Sequence, residues 1–376
     1  MKFNKRIYTA IEKKLAYEKK FSSYVPDEFV IENEDNSKNE YFRKYGFLVP
    51  NYVKDLYFKY NGIESNRYIP TDLYLFYVFP ILVVMEMMLP YIDKNNYELL
   101  FPNIPQPKVF VRNQNDHFSF GKEGVFRLIN KEDAIEFLSN QQQFIIKPTN
   151  DSGGGKGVRK IIVSDLGANP HEAIEALIDS YGKDFVAQEV IRQHDSLNLL
   201  NSSSLNTLRI ITYRTNDGSI VSLGAFIRFG KEGSDVDNGG RGGLICRVDD
   251  DGRIEDRVFY IKSFQRGSLK ELKGLSNLEV PNYAAVLQFC YQLHATLNYF
   301  DLCGWDIAIG EDGSPVFIEL NQYPDCESFQ MVNGPMFGRY TDEVMDKLID
   351  TKTTFTLSIR REFENGRKAD FWLSDF

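Results

Sequence analysis

Two acidic residues thirteen positions apart, Asp306 and Glu319, restrict this chain more than any other feature. Residues 303–309 have the composition of a strand, as do residues 315–321, and Gly310-Glu311-Asp312-Gly313-Ser314 lies between them. Asp-Gly is a leading two-residue hairpin turn, so a turn at Asp312-Gly313 predicts Asp306 directly opposite Glu319. Asn321 follows two residues on, on the face of Glu319 by the strand period of two. Ile307, Ile309, Val316, Ile318 and Leu320 then supply an apolar face. Such a hairpin either puts one face in a core and lines a site with the other, or sends both carboxylates into solvent. Like charges directly opposite, with side chains about 5 Å apart, destabilise a sheet. Bound Mg²⁺, which takes hard oxygen ligands from one or two carboxylates together with substrate phosphates, would relieve the repulsion.

The bulk numbers narrow the class. At 376 residues, 43% hydrophobic and 26% charged, the chain has the profile of a globular protein of two or three structural units. A net charge of −9 runs against general nucleic-acid binding, which calls for a basic surface. Cys246, Cys290, Cys303 and Cys326 show neither a CxxC pair nor a metal-ligand spacing, and the four histidines are scattered. Reduced thiols in a cytoplasm, without a zinc site, are expected. The first residues lack an apolar run before a cleavage site, so no secretory signal is expected. Residues 73–92 approach the length of a membrane span, but Pro80, Glu86 and Pro90 interrupt them. A buried helix pair, or a helix packed on the main domain, is expected there rather than a transmembrane span. Residues 1–20 carry seven Lys and Arg against Glu12 and Glu18, with Ile7, Ile11 and Leu15 at helical spacing. This predicts an amphipathic basic helix, either docked by its apolar stripe or in weak peripheral contact with a membrane.

From about residue 108 a regular alternation begins. Strands are predicted at 108–112, 125–129, 143–147, 158–163 and 185–191, and helices at 131–140 and 169–181. Asn169 caps the second helix and Pro170 takes its first position. Further strands at 207–214 and 221–229 flank the turn Asn216-Asp217-Gly218, and a helix at 283–299 leads into the carboxylate hairpin.

The second strong signal is Lys147-Pro148-Thr149-Asn150-Asp151-Ser152-Gly153-Gly154-Gly155-Lys156-Gly157. Consecutive glycines let backbone N–H groups approach phosphate oxygens, and the lysines add positive charge. A Walker A loop continues from its Lys to Ser or Thr and a helix, whereas Lys156 is followed by Gly157 and a strand. No HRD, DFG or Rossmann GxGxxG signature is present either. A flexible hairpin folding over a nucleotide fits the pattern.

A strand ending in Lys-Pro, a glycine-rich hairpin and a distal D…ExN hairpin together resemble the ATP-grasp superfamily, over about residues 93–338. The wording SLNTLRIIT, VDNGGRGGLI, GWDIAI and ELNQYPDCESFQMVNGP is closest to the sugar-transfer-associated group. The resemblance implies an α+β, ATP-grasp fold in which two α+β subdomains clasp ATP. Its divisions would be a mainly helical region 1–92, a lid and central subdomain 93–190, and a metal-bearing subdomain 191–376. It implies that Lys94 and Lys147 reach the phosphates, beneath Gly153, Gly154, Gly155, Lys156 and Gly157. Gln188, Glu189 and Ile191 would form the hinge that holds adenine. Asp306, Glu319 and Asn321 would bind Mg²⁺, as two ions, with Mn²⁺ as a substitute. Arg209 and Arg228 would contact the transferred phosphate or the substrate carboxylate, and Asn206, Asn238 and Arg241 would lie near substrate. The chain departs from many ligases at Asn321-Gln322-Tyr323-Pro324, where they have a shorter apolar-proline run, and this affects substrate choice. The implied activity is an ADP-forming carboxylate–amine ligase working through an acylphosphate. Its substrates would be a small-molecule carboxylate and an amine, sugar-linked, in the assembly of surface polysaccharide such as capsule. A phosphotransferase acting on a sugar hydroxyl and a non-catalytic nucleotide-binding assembly component are the alternatives.

Overall fold

Strands with a period of two and helices with good caps account for most of the architecture. The computed structural model describes residues 39–122, 125–150, 155–230, 243–261 and 265–350. The basic helix expected at 1–20 lies outside them. Among the described residues, thirteen strands form two antiparallel sheets.

The first sheet contains β1 (Val109–Gln114), β2 (His117–Lys122), β3 (Val125–Ile129), β4 (Gln143–Pro148), β5 (Arg159–Ile162) and β6 (Phe185–Gln188), in the order β3-β2-β1-β6-β4-β5. In β4, Phe144 and Ile146 turn onto helices Lys131–Ser139 and Pro170–Tyr181, where they meet Ile135, Leu138, Ile174 and Ile178 in one core. By alternation Gln143, Ile145 and Lys147 take the opposite face. Each helix begins as its sequence predicts: Asn130 accepts from Asp133 N at 2.7 Å, and Asn169 caps Glu172 N with Pro170 at the first position.

The second sheet contains β7 (Thr207–Arg214), β8 (Ile220–Phe229), β9 (Leu244–Val248), β10 (Ile254–Tyr260), β11 (Arg266–Ser268), β12 (Leu302–Ile309) and β13 (Pro315–Asn321), in the order β11-β10-β9-β8-β7-β12-β13. β12 is buried along its whole length. Trp305 and Phe317 pack against Phe101, with ring centroids 6.4 and 5.0 Å from it, and Tyr97 lies 5.1 Å from Phe317. These rings draw residues 94–101 beneath the β12–β13 hairpin. The core joins described residues from 42–101 to residues 197–348, while 111–187 form a separate core. Described residues of the N-terminal region expected at 1–92, from Phe42 to Met88, therefore share the core of the second sheet.

Residues 73–92 take the second of the expected forms, a helix packed on the main domain, and not a helix pair. Helical turns run from Thr71 to Leu82, with a π segment at Tyr74–Val78 closed by Phe79 N–H on Tyr74 O. Pro80 has no N–H to continue the α ladder and its ring crowds the turn before it, which widens as a result. Val83 then pairs with Phe300, and Met85–Tyr91 forms a 3₁₀ turn containing Pro90. No helix among the described residues is long and apolar enough to cross a membrane. β2 and β9 to β11 are strands that the sequence pattern did not predict, and β6 and helix Tyr283–Ala295 end earlier than expected.

Behind β12, a buried relay fixes His294. Trp305 Nε1 donates to Thr212 Oγ1 at 2.8 Å, Thr212 Oγ1 meets His294 Nδ1 at 2.7 Å, and His294 Nε2 meets Phe300 O at 2.8 Å. Burial pushes the imidazole down to about 4 from an ordinary 6.5, although the Phe300 carbonyl favours the charged form. The unfolded chain therefore binds more protons between pH 6.5 and 4, and stability must fall as pH falls through that window. The whole loss attributable to this group is about 3 kcal/mol. Urea unfolding at pH 7 and pH 4.5 should show a steeper loss in the wild type than in His294→Gln. Equal slopes would exclude His294 as the source.

Candidate active site

A cleft of about 490 Å³ lies between the two sheets. Strand register brings its charged wall together. Arg209 on β7 stands opposite Asp306 on β12, Asp306 stands opposite Glu319 on β13, and Arg228 on β8 stands opposite Thr207 on β7. Facing Glu319, Asp93 caps a 3₁₀ turn at Lys94–Asn96 through Asn95 N at 2.9 Å, and the following Tyr97 and Phe101 anchor that turn in the aromatic core.

The Asp306–Glu319 pairing is as expected, but the turn behind it is not. Gly310 N bonds Ser314 O at 2.8 Å and Gly313 has φ +81°, so the loop is Glu311–Gly313, three residues ending in a left-handed glycine. That shifts the register by one, pairing Ile307 with Phe317. A bulge between Asp306 and Ile307, with Ile318 as the extra residue on β13, restores the predicted pairing. Its consequence is that Ile318, expected in the core, lines the cleft, while Phe317 is buried.

The opposed carboxylates are already paired with cations of the chain itself. Arg209 Nε donates to Asp306 Oδ1 at 2.5 Å and its Nη2 to Oδ2 at 3.1 Å; Arg228 Nη2 donates to Oδ2 at 2.8 Å. Burial would raise the Asp306 carboxyl, but the two guanidinium groups outweigh it and hold the group below the usual carboxylate range. Lys94 Nζ lies 3.0 Å from Glu319 Oε1. The repulsion that the sequence left to Mg²⁺ is thus relieved without it.

The donor chemistry still suits such an ion. Asp306, Glu319 and Asn321 offer only hard oxygens, the preference of Mg²⁺, which completes its shell with phosphate and water. Among the described residues Asn321 Nδ2 is buried without a hydrogen-bond partner of good geometry, although its amide lies close enough to Asp306 to help hold that carboxylate charged; turning the amide over presents Oδ1 in place of Nδ2. No cluster of three His, Cys, Asp or Glu suited to a metal occurs among the described residues, so the amide would be the third protein ligand.

The remaining predicted residues divide. Lys147 and Gly155 line the cleft, as do Gln188, Glu189 and Ile191. Glu189 N donates to Lys108 O at 2.9 Å and its carboxylate accepts from Lys108 N at 2.7 Å. Gly157 has φ +76°, and a Cβ there would lie 2.8 Å from Pro148 Cγ, so only glycine fits. Lys156 is exposed and does not line the cleft. Gly153, Gly154, Asn238 and Arg241 lie outside the described residues. Asn206 does not reach the cleft. It is buried, and its Nδ2 donates to Gln193 Oε1, Leu197 O and Asn201 O at 2.8–3.0 Å, binding the 193–206 loop together. Its short polar side chain closes a loop instead of meeting substrate.

Lys160 and Thr207 are cleft residues that the sequence reading missed. Lys160 pairs with Ile145, on the face of Lys147, so alternation along β4 and β5 carried the signal. Thr207 Oγ1 accepts from Arg228 Nε at 3.2 Å and Nη2 at 2.9 Å. No sequence pattern marks that contact.

The sequence model of the family described as sugar-transfer associated ATP-grasp matches residues 91–345. Among solved structures, the ATP-grasp ligase PsnB is similar at 16% identity and a TM-score of 0.38, covering 71% of this chain and 64% of its own. D-cycloserine synthetase DcsG is similar at 14% identity and 0.41, covering 71% and 73%. D-alanyl-alanine synthetase A from Vibrio cholerae is similar at 14% identity and 0.39, covering 69% and 66%. The chain thus spans less than two thirds of the length of PsnB. No curated protein matches it.

Burial, and then the nearby Lys94 charge, lower the Lys147 ammonium to about 8, with Glu319 opposing the shift. Lys147 is cationic below that pH and loses its proton as pH rises through it. A polyphosphate bound there favours the protonated form, so its affinity should fall above pH 8 by at most about tenfold per unit. Calorimetric titration of tripolyphosphate from pH 7 to 9.5 checks this. Lys147→Met should weaken binding and flatten the profile, and an unchanged slope in that variant would remove Lys147 from the site.

Proposed function

The chain belongs to the sugar-transfer-associated ATP-grasp family, and from that premise we propose that it is an ATP-dependent carboxylate–amine ligase. The observation that carries the proposal is the meeting of Lys94, Lys147, Arg209 and Arg228 with Asp306 and Glu319 in one cleft, beside Gly155. Four cations suit a triphosphate and an acid substrate together better than either alone. Ile145 from the first sheet, Val158 just before β5 and Ile318 from the second sheet supply apolar surface for a purine, next to the Glu189–Ile191 hinge.

In this reading Lys94 and Lys147 hold the phosphates in line. The substrate carboxylate attacks the γ-phosphorus, the bond to the β-phosphate oxygen breaks, and an acylphosphate and ADP result. Mg²⁺ held by Asp306, Glu319 and Asn321 supplies neutralisation of phosphate charge when bound. Arg209 and Arg228 bind the acylphosphate and the tetrahedral oxyanion that forms as the amine adds. The C–O bond to phosphate then breaks, the amide forms, and the nitrogen gives up its proton to solvent. Exclusion of water during these steps protects the acylphosphate from hydrolysis. The family's association with sugar transfer supports an acid carried on a sugar, such as a uronic acid, as the carboxylate, and a role in surface polysaccharide. Dependence on ATP implies a cytoplasmic reaction.

Incubation with Mg²⁺, ATP, pooled amino acids and uronic-acid sugars should yield free phosphate and a product whose mass is the sum of acid and amine less one water. A product that keeps phosphate would instead identify a phosphotransferase. Glu319→Gln should lower ADP formation by about a hundredfold or more with an unchanged thermal midpoint, because Glu319 is 34% exposed and paired only with Lys94 among the described residues. Full turnover in that variant would refute the assignment of Glu319.

A further inference from the structure

Asp306 is 3% exposed, and both of its oxygens are engaged by guanidinium groups. In the reaction just described the aspartate serves a cation and the two arginines serve an anion. The ligand-free arrangement allows neither. The aspartate's charge is cancelled, and the arginine forks that would meet an anion are turned onto it. Resting on the ligase reading, we propose that Asp306 is a latch coupling the two ligands. Arg209 and Arg228 become an oxyanion site only when Asp306 exchanges them for the metal–nucleotide, and Thr207 is the positioning residue that keeps Arg228 facing the site when the aspartate lets go.

Three observations carry this. Among the described residues, the side-chain hydrogen bonds of Arg209 both go to Asp306, so Arg209 gains most from an incoming anion when the aspartate changes partner. Arg228 has a second anchor: its Nε and Nη2 both donate to Thr207 Oγ1, at 3.2 and 2.9 Å. Thr207 is itself 4% exposed and directly opposite Arg228 in the β7–β8 register. The guanidinium is therefore held along one edge while its Nη2 is shared with Asp306. Finally, the exchange is local, since Arg209 and Asp306 are cross-strand neighbours and only side chains need turn. Two buried arginines without their aspartate are costly until an anion arrives, and this ties anion binding to occupation of the cation site. Linkage requires the effect to be reciprocal.

Isothermal titration of the full chain tests the proposal, with orthophosphate as the anion probe. Phosphate should bind at least about tenfold tighter to protein loaded with Mg²⁺ and ADP than to protein alone. ADP with EDTA should give no such gain. Asp306→Asn should bind phosphate without metal more tightly than the wild type does. Thr207→Val should weaken phosphate binding to the loaded protein about fivefold or more while leaving the Mg²⁺·ADP affinity within about twofold. Equal phosphate affinity with and without Mg²⁺·ADP, where the nucleotide itself binds, overturns the latch and leaves the ligase reading standing. Failure of the nucleotide to bind overturns the ligase reading and the latch with it. Unchanged phosphate affinity in Thr207→Val removes that residue's positioning role. The wild-type comparison needs no variant and decides the latch even where Asp306→Asn folds poorly.

Discussion

The buried pairing of Asp306 with Arg209 and Arg228 is the contact on which the cleft wall depends. A carboxylate this deep is tolerated only when it is paired and hydrogen-bonded, because desolvation of an isolated charge far exceeds the net stability of a domain. The two arginines come from the next strands of the same sheet, so the charges sit on rigid neighbours and not on loops. Their geometry is inherited from strand register. The same register brings Glu319 beside Asp306, and the aromatic core under the hairpin carries Lys94 to Glu319. The carboxylate hairpin and the Lys94 turn are thus fixed by one aromatic core behind them.

Much of this was legible in the sequence because it follows from alternation. Thr207–Arg214 was predicted to the residue, and Asn169 with Pro170 marked their helix start. The Asp306–Glu319 pairing came out correctly although the turn did not. A three-residue loop displaced the register by one and a bulge displaced it back. Local sequence preferences rank turn types but do not record bulges, whose advantage lies in packing Phe317 inward while Ile318 and Glu319 both reach the cleft. The pairing alone therefore could not show that Ile318 changes sides.

Other features were hidden for a different reason. Pro80 was recognised as an interruption, but whether a proline kinks, ends or widens a helix depends on what the neighbouring turns pack against. The resemblance implies that Asn206 lies near substrate. Its three hydrogen bonds within the 193–206 loop depend on how that loop folds back on itself, which composition does not encode. Thr207 was invisible on the same grounds: its value lies in a partner 21 residues away.

The lysines show how one pairing sets the chemistry of the next. Asp306 is taken up by the arginines, so Glu319 is the carboxylate left for the lysine side of the cleft. Lys94 stands 3.0 Å from it. Lys147 is buried, feels Lys94 as a like charge and draws only partial compensation from Glu319, which is why its ammonium is lowered and not raised. A buried cation with no ion pair among the described residues is a standing cost to the fold. It is reduced when an anion enters, so part of the stability forgone in the empty cleft returns as affinity for a phosphate. The charges of the wall are therefore coupled, and a substitution at one should be read through its effect on the others.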